Sequence, residues 1–252
     1  MRAYELMKET FFRKMYIYIV HLSWFAVYGL FLMLEPEEDG FYRTFFIWGG
    51  FFLPLTLSAG IFGDDISSGR ICVLATRPLW LGELYIYRLL GLSVQGGVHF
   101  ILAGGLLLII HRFTGIGSTD NLGSWLFSCW LLFNTWAALS TSLSVVVKRA
   151  YNFVFLLAAF LFFGFLNSIL SWNSPDDTTT EVINAFVRYV CPPFALLTKM
   201  AQGEYAKYSL IVGKYSAIKA VACVTHTIVL TVFYGLVGVL VLNRRQFAGS
   251  RE

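Results

Sequence analysis

Residues 89–110 read LLGLSVQGGVHFILAGGLLLII, a run that contains no Asp, Glu, Lys or Arg. An α-helix rises about 1.5 Å per residue, so roughly 20 apolar residues cross the ~30 Å hydrocarbon core of a bilayer. One charged side chain at the centre of such a helix costs about 2.5–3.5 kcal/mol, which makes a long uncharged run uncommon unless it is selected. The stretch therefore predicts an α-helix that crosses a membrane.

Outside this stretch the same pattern recurs. Together with residues 89–110, five further uncharged apolar runs predict six transmembrane helices, at residues 16–34, 44–62, 89–110, 124–147, 152–172 and 220–242. Composition agrees, because the 252-residue chain is 57% hydrophobic and 13% charged, whereas about a quarter of a soluble domain is charged. We therefore expect an all-α integral membrane protein, with one transmembrane domain over residues 1–252.

The distribution of basic residues predicts the orientation. An even number of spans places both termini on one side of the membrane. Lys and Arg are concentrated in the N-terminal segment, in the loops after the second and fourth spans and at the C-terminus, whereas the opposite short loops carry only Arg43 and Arg112. Because short cytoplasmic loops are enriched in Lys and Arg, we expect both termini in the cytoplasm and the chain in the inner (cytoplasmic) membrane of the cell.

Residues 1–15 predict an amphipathic helix that lies on the cytoplasmic interface. Apolar side chains such as Met7 and Phe11 recur at helical spacing, and charged side chains such as Lys8 and Glu9 take the other positions. A helix of this kind sinks its apolar face into the membrane surface. The alternative is a frayed cytoplasmic extension of the first span.

The cytoplasmic loop at residues 63–88, GDDISSGRICVLATRPLWLGELYIYR, is longer than a reversal of chain direction needs. Asp64 or Asp65 can cap a short helix, Arg70 and Arg77 flank it with positive charge, and Pro78 ends it. A helix in this position, lying across the membrane face, predicts docking to a cytoplasmic protein.

The outer loop at residues 173–219 also contains a helical pattern. Its polar start, NSPDDTTTE, offers helix caps, and an apolar stripe at residues 182–190 precedes Pro192 and Pro193. A second apolar stretch covers residues 194–200, and neither stretch is long enough to cross a bilayer. We expect two short helices on or partly in the outer leaflet, or else an ordinary extracellular loop with one surface helix.

Polar side chains inside the predicted spans are candidates for lining a transport pathway. The main candidates are Gln95, His99, Asn134, Asn167 and His226. The alternative role is hydrogen bonding between helices, which is worth about 0.6 kcal/mol on average. No metal site is predicted, because the four cysteines lack paired spacing and no acid lies near His99 or His226 in sequence. Paired glycines at 96–97 and 104–105 predict close helix contacts.

Motifs for catalysis and for nucleic-acid binding are missing from the sequence. No G-x-x-x-x-G-K-[ST], H-E-x-x-H or G-x-S-x-G pattern occurs, so the sequence does not predict an enzyme that hydrolyses ATP or a peptide or ester bond. The net charge of +4 is small and scattered, whereas nucleic-acid binding needs a basic face. An intramembrane enzyme is disfavoured for the same lack of a catalytic constellation.

In order along the chain, three motifs resemble those of permease subunits of the ABC type-2 exporter family. The first is the 63–88 loop, with its acidic pair, Gly69, an apolar pair, Arg77-Pro78 and then Arg88 at the entry to the third span. The second is Pro193-Phe194 before the last span, and the third is the closing NRRQF at 243–247. The segment after Pro78 lacks a further basic residue that many members have, and Arg88 stands where lysine is commoner.

The resemblance implies a permease subunit that pairs with a second copy or a paralogue and sits on two cytoplasmic ABC ATPase subunits. Those subunits bind ATP and Mg, so no cofactor is expected on this chain. Residues 64–76 would be the coupling helix, and the expected ATPase-coupling residues are Asp64, Asp65, Gly69, Arg70, Arg77 and Pro78.

The function that the resemblance implies is outward movement of an amphiphilic or larger substrate. The N-terminal helix would be a second ATPase contact, and the outer helices would form an extracellular lid. The alternative function is a non-transporting membrane scaffold that relays ATPase motion to an extracytoplasmic partner.

Overall fold

The structure is a computed structural model that describes residues 2–12, 16–34, 41–58, 61–71, 80–116, 119, 122–147, 151–159, 161–162, 182 and 220–244. These residues are almost all helical, and no strand occurs among them, which confirms the all-α prediction. The helices are α1 (Arg2–Phe12), α2 (Tyr16–Leu34), α3 (Phe41–Leu57), α4 (Gly63–Ser67), α5 (Leu81–Thr114), α6 (Leu122–Ser144) and α7 (Ala220–Arg244). Residues 151–159 are also helical.

Three of the described helices are long and apolar enough to cross a membrane. They are Leu81–Thr114, Leu122–Ser144 and Val224–Arg244, in which an 18-residue window has a mean hydropathy of 1.8, 1.2 and 2.0 respectively. Shorter apolar helices cover Tyr18–Leu34 and Phe46–Leu57. The described part of the chain is therefore all-helical, and its apolar helices indicate a membrane-embedded protein. Most of the predicted fifth span and all of the predicted outer loop except Val182 lie outside the described residues.

The helix that contains the third predicted span begins before that span. α5 starts at Leu81, eight residues before the predicted start at 89, so the end of the predicted coupling loop belongs to the same helix as the span. Leu84 and Tyr85 are buried against neighbouring elements, and this packing extends the helix past the apolar run. With 34 residues, α5 is about 51 Å long and exceeds the hydrocarbon core. It ends at Gly115, whose φ of 71° suits glycine.

α6 lies at the centre of the described bundle, where it packs against α3, α5 and α7. Every residue from 131 to 138 is buried, as expected for a helix surrounded by others. Glycines on the neighbouring helices permit the close approach. A β carbon at Gly96 would lie 2.5 Å from the Phe133 ring, and one at Gly50 would lie 2.9 Å from the backbone oxygen of Cys129.

The glycines of the two α5 pairs differ in how closely they approach neighbouring side chains. Gly96 and Gly104 meet side chains of α6 so closely that a methyl group would collide, which confirms the predicted close contact. A β carbon at Gly105 would have no neighbour within 4 Å. Only one glycine of that second pair is therefore required by packing.

α1 packs along the early part of α5. At the contact, a β carbon on Gly91 would lie 3.0 Å from the β carbon of Thr10, and Thr10 is buried. Residues 13–15, between α1 and α2, lie outside the described residues. The N-terminal helix is thus part of the bundle's packing and does not project freely from the first span.

The predicted coupling helix at 64–76 is not continuous over its described part. α4 has five residues, a turn follows at residues 68–69, and helix resumes at residues 70–71. Gly69 has a φ of 72°, a left-handed conformation that glycine adopts without strain and that interrupts a helix. The predicted side-chain cap is also wrong, because the N-cap residue is Phe62 and both aspartates lie in the first turn. Residues 72–79 lie outside the described residues.

Candidate functional site

A buried ion pair ties the predicted coupling segment to α5. Nη1 of Arg88 lies 2.5 Å from Oδ2 of Asp65, and the two side chains are only 2% and 1% exposed. The same Nη1 donates a hydrogen bond of 2.6 Å to the backbone oxygen of Ile61. The Phe62 ring lies beneath the guanidinium, 5.1 Å from Cζ to the ring centroid. Arg88 therefore holds α4 and the two residues before it against α5.

Glu9 extends this pair to α1 and to the turn after α4. Its Oε1 accepts a hydrogen bond of 2.6 Å from Nη2 of Arg70 and lies 4.0 Å from Nη2 of Arg88. We call Glu9, Asp65, Arg70 and Arg88 the ionic cluster. Arg70 and Glu9 are 48% and 33% exposed, so the cluster runs from the surface to the buried side of α4.

The predicted coupling residues divide into an exposed and a buried group. Residues 67–70, including Gly69 and Arg70, are exposed. Asp64 is half-buried, and its backbone oxygen accepts a hydrogen bond from the Ser68 backbone. Asp65 is buried and is turned towards α5. Arg77 and Pro78 lie outside the described residues.

A second set of contacts connects the same region to the far side of the bundle. The Tyr85 ring stacks on the Phe62 ring with centroids 5.3 Å apart. The Tyr85 hydroxyl bonds to Oγ of Ser142 on α6 at 2.8 Å, and this Oγ lies 2.5 Å from the backbone oxygen of Tyr234 on α7. Side chains thus link α4 through α5 and α6 to α7.

Two of the predicted pathway residues, Gln95 and His99, lie together between α2 and α5. Nδ1 of His99 is 2.9 Å from Nδ1 of His21, and Nε2 of His99 is 3.1 Å from the Tyr28 hydroxyl. Nε2 of Gln95 is 3.1 Å from Nε2 of His21. We call Gln95, His99, His21 and Tyr28 the histidine cluster. Phe25 fixes the ring of His99 by parallel stacking, with centroids 4.7 Å apart.

A cleft of about 340 Å³ lies beside the histidine cluster. Its wall contains three members of the cluster and apolar side chains of α2 and α5; the lining residues are Tyr18, His21, Leu22, Phe25, Gln95, Val98, His99 and Leu102. Leu22, Val98 and Leu102 are also exposed on the outside of the bundle. The cleft therefore opens sideways, towards the surface that a membrane would cover.

The other pathway candidates that the structure describes, Asn134 and His226, do not join this cluster. Asn134 is buried and donates a hydrogen bond of 2.9 Å to the backbone oxygen of Trp130 on its own helix. His226 is half-buried on α7, and its Nε2 has no hydrogen-bond partner among the described residues. Asn167 lies outside that part of the chain. For Asn134 the contacts are those of a structural hydrogen bond.

Sequence reasoning missed several members of the two clusters. Arg88 was recognised only as part of a motif, and Glu9 only as part of a charged helix face. His21 and Tyr28 received no role, although His21 lies in an uncharged run as His99 does. Reading every histidine of a predicted span alike would have found His21. Its pairing with His99 follows from tertiary structure and has no sequence signal.

No family model matches the sequence, and no curated protein matches it. In the described ranges, no group of three or more His, Cys, Asp or Glu side chains is placed to hold a metal ion. The ionic cluster and the histidine cluster are therefore the two features from which a function can be argued.

Proposed function

We propose that the chain is the permease subunit of an ATP-driven exporter, and that α4 with residues 68–70 receives motion from a separate ATPase chain. In this proposal the chain crosses the inner membrane six times with both termini in the cytoplasm. It pairs with a second copy or a paralogue, and ATP and Mg bind to the ATPase subunits. Its substrate is amphiphilic or larger.

The observation that carries the proposal is the buried Asp65–Arg88 pair. Separating one partner from such a pair leaves an uncompensated buried charge, at a cost of about 3–5 kcal/mol. A surface ion pair is worth about 0–1 kcal/mol and would yield to a small force. A push on the exposed residues 67–70 would therefore move α4 and α5 together.

The contacts beyond α5 support transmission into the bundle. The hydroxyl of Tyr85 bonds to Ser142, and Ser142 reaches the backbone of α7. Because α6 packs against α3, α5 and α7, a displacement of α5 cannot leave α6 unaffected. A force applied at α4 would thus reach the described spanning helices.

A second candidate is the non-transporting scaffold that relays ATPase motion to an extracytoplasmic partner. One observation favours it: the described pathway candidates occupy three separate places and do not line one route. The ionic cluster would serve this function equally well, because it transmits motion and binds no substrate.

Docking to an ATPase is tested by adding bulk to the exposed coupling surface. Ser67→Trp places a large ring on the exposed end of α4, and Ser124→Trp makes the same change at an exposed position near the start of α6. We expect the tagged chain, purified in mild detergent, to retain a subunit with a Walker lysine, identified by mass spectrometry. Ser67→Trp should reduce this recovery at least fivefold, and Ser124→Trp should not.

Recovery of the chain without an ATPase under all mild conditions, or equal recovery with both variants, would contradict the proposal. Reconstituted vesicles then separate the two candidate functions. ATP-dependent movement of a fluorescent amphiphile across the bilayer supports the exporter, whereas ATP turnover without movement supports the scaffold.

A further inference from the structure

The exposed turn at residues 67–70 is fixed at both of its ends. Before the turn, Asp65 is held in its buried ion pair, and after the turn, Ile71 is 0% exposed. Within the turn, the backbone nitrogen of Gly69 donates a hydrogen bond of 3.2 Å to the backbone oxygen of Ile66. The backbone of the turn is therefore held in one place, and the side chains on it have a defined starting point.

Most hydrogen-bond donors of this turn are already used inside the chain. The hydroxyls of Ser67 and Ser68 donate to backbone oxygens of α4. Arg70 differs, because it uses Nη2 for its hydrogen bond to Glu9 and makes no other hydrogen bond among the described residues. An arginine has five N–H donors, and this side chain is 48% exposed. Arg70 is thus the residue of the turn that can donate to a partner protein.

Glu9 holds the guanidinium of Arg70 from a second helix. The bond from Nη2 to Oε1 is 2.6 Å long. Glu9 is itself held in place, because the next residue, Thr10, is buried where α1 packs against Gly91 of α5. A long side chain that is free in water samples many rotamers, and a partner that binds it must first order it. Here α1 has already restricted those rotamers.

We propose that Glu9 is a positioning residue for the coupling surface. It places the guanidinium of Arg70 so that the remaining N–H groups can donate to acceptor oxygens of the ATPase. This role rests on the proposed function, since it describes how the surface at residues 67–70 is prepared for the ATPase. α1 would then affect docking through Arg70.

A different role for Glu9 would be to act through the buried pair. Its Oε1 lies 4.0 Å from Nη2 of Arg88, which is too long for a hydrogen bond. Arg88 already bonds to Asp65 at 2.5 Å, whereas the contact of Glu9 with Arg70 has the length of a charge-assisted hydrogen bond. The distances therefore favour action through Arg70.

The test measures how much ATPase is recovered with the tagged full-length chain in mild detergent. We expect Glu9→Ala to lower the recovery about two- to tenfold, the range that corresponds to ordering one long side chain at an interface. Arg70→Ala should lower it at least as much. In the Arg70→Ala background, Glu9→Ala should cause no further loss, because Glu9 then has no side chain to position.

Two further variants separate positioning from charge and from direct contact. Glu9→Gln removes the charge but retains an oxygen that accepts from Arg70, so recovery should stay within about twofold of the wild type. Glu5→Ala is the matched control, because Glu5 is an exposed acid one turn earlier on α1 and has no described contact with Arg70. It should leave recovery unchanged.

The outcomes distinguish this role from the proposed function. Wild-type chain that recovers no ATPase would contradict the proposed function, and the role of Glu9 with it. ATPase that is recovered by the wild type, reduced by Ser67→Trp and unchanged by Glu9→Ala would contradict the role of Glu9 alone.

Three other results would also overturn the role of Glu9. A further loss in the Arg70→Ala background would show that Glu9 acts through Arg88. Equal losses from Glu9→Gln and Glu9→Ala would show that only the charge matters, and a loss from Glu5→Ala would show that α1 contacts the ATPase directly. Elution from a sizing column and the tryptophan emission spectrum check that each variant is folded.

Discussion

Arg88 shows how one side chain can join three parts of the chain. It bonds to Asp65 and to the backbone of Ile61, and it lies 4.0 Å from Glu9 of α1. A buried guanidinium is tolerated only when its charge and its N–H groups are compensated, and the compensation here comes from α4 and α1. The position of α4 therefore depends on a residue of α5.

Neutralising one partner of the buried pair should be costly. We expect Asp65→Leu or Arg88→Met to lower the free energy of unfolding by about 3–5 kcal/mol, because either change leaves a buried charge without its partner. The apolar double replacement Asp65→Leu with Arg88→Met should recover most of this loss, because it removes both charges. Denaturation in detergent, followed by tryptophan emission, measures the four-way cycle.

Arg70→Ala is the matched control for the buried pair. Its ion pair with Glu9 is largely exposed, so the change should cost no more than about 1 kcal/mol. Equal losses from Arg70→Ala and Arg88→Met, or additive losses in the double variant, would contradict the interpretation of Arg88 as the residue that holds α4.

At the scale of elements, α6 is the helix against which α3, α5 and α7 pack. Its small residues Ala137 and Ala138 are fully buried, and glycines of α3 and α5 lie directly against it. In a bilayer, helices associate through close packing and hydrogen bonds, because lipid tails are as apolar as the side chains. Small residues therefore carry much of the attachment of α3 and α5 to α6.

Gly50→Ala tests this attachment. The added methyl would lie 2.9 Å from the backbone oxygen of Cys129, which cannot rotate away. We expect a loss of about 1–3 kcal/mol, the usual cost of overpacking. Gly105→Ala serves as the control, since its methyl would have no neighbour within 4 Å, and it should be neutral or stabilise by up to about 1 kcal/mol. Thermal melting in detergent distinguishes the two, and equal midpoints would contradict the packing argument.

At the scale of the whole molecule, the length of α5 determines whether its two ends lie on opposite sides of a bilayer. Because α5 is about 51 Å long, the residues before it and after it must lie on opposite sides of a bilayer if it spans one. Ser67 precedes it and Ser124 follows it, and both are exposed.

Cysteine labelling measures this sidedness. In a background with the native cysteines replaced by alanine, we expect a membrane-impermeant maleimide to label Ser67→Cys from the cytoplasmic side only and Ser124→Cys from the outer side only. Inside-out and right-side-out vesicles provide the two sides. Labelling of both positions from one side would show that α5 does not cross the membrane.

Hydropathy alone predicted the helical class and the approximate places of the long apolar helices. It works because a backbone in hydrocarbon must satisfy its own hydrogen bonds, which leaves an uncharged apolar run few structures other than a helix. α5 begins eight residues before the uncharged apolar run, because Leu84 and Tyr85 are buried by protein and local composition does not record this. The six-span topology and the coupling function stay predictions.

The sequence by itself therefore determined the membrane environment of this protein and the helical structure of its backbone, since both depend on composition within a single segment. Only the tertiary structure decided the partners: Asp65 with Arg88, and His21 with His99. These residues are far apart in the chain, and each pair meets because the packing of α4 and α2 against α5 brings them together. A polar side chain in an apolar helix predicts that a hydrogen-bond or ionic partner is needed, but the packing of the helices determines which residue that partner is.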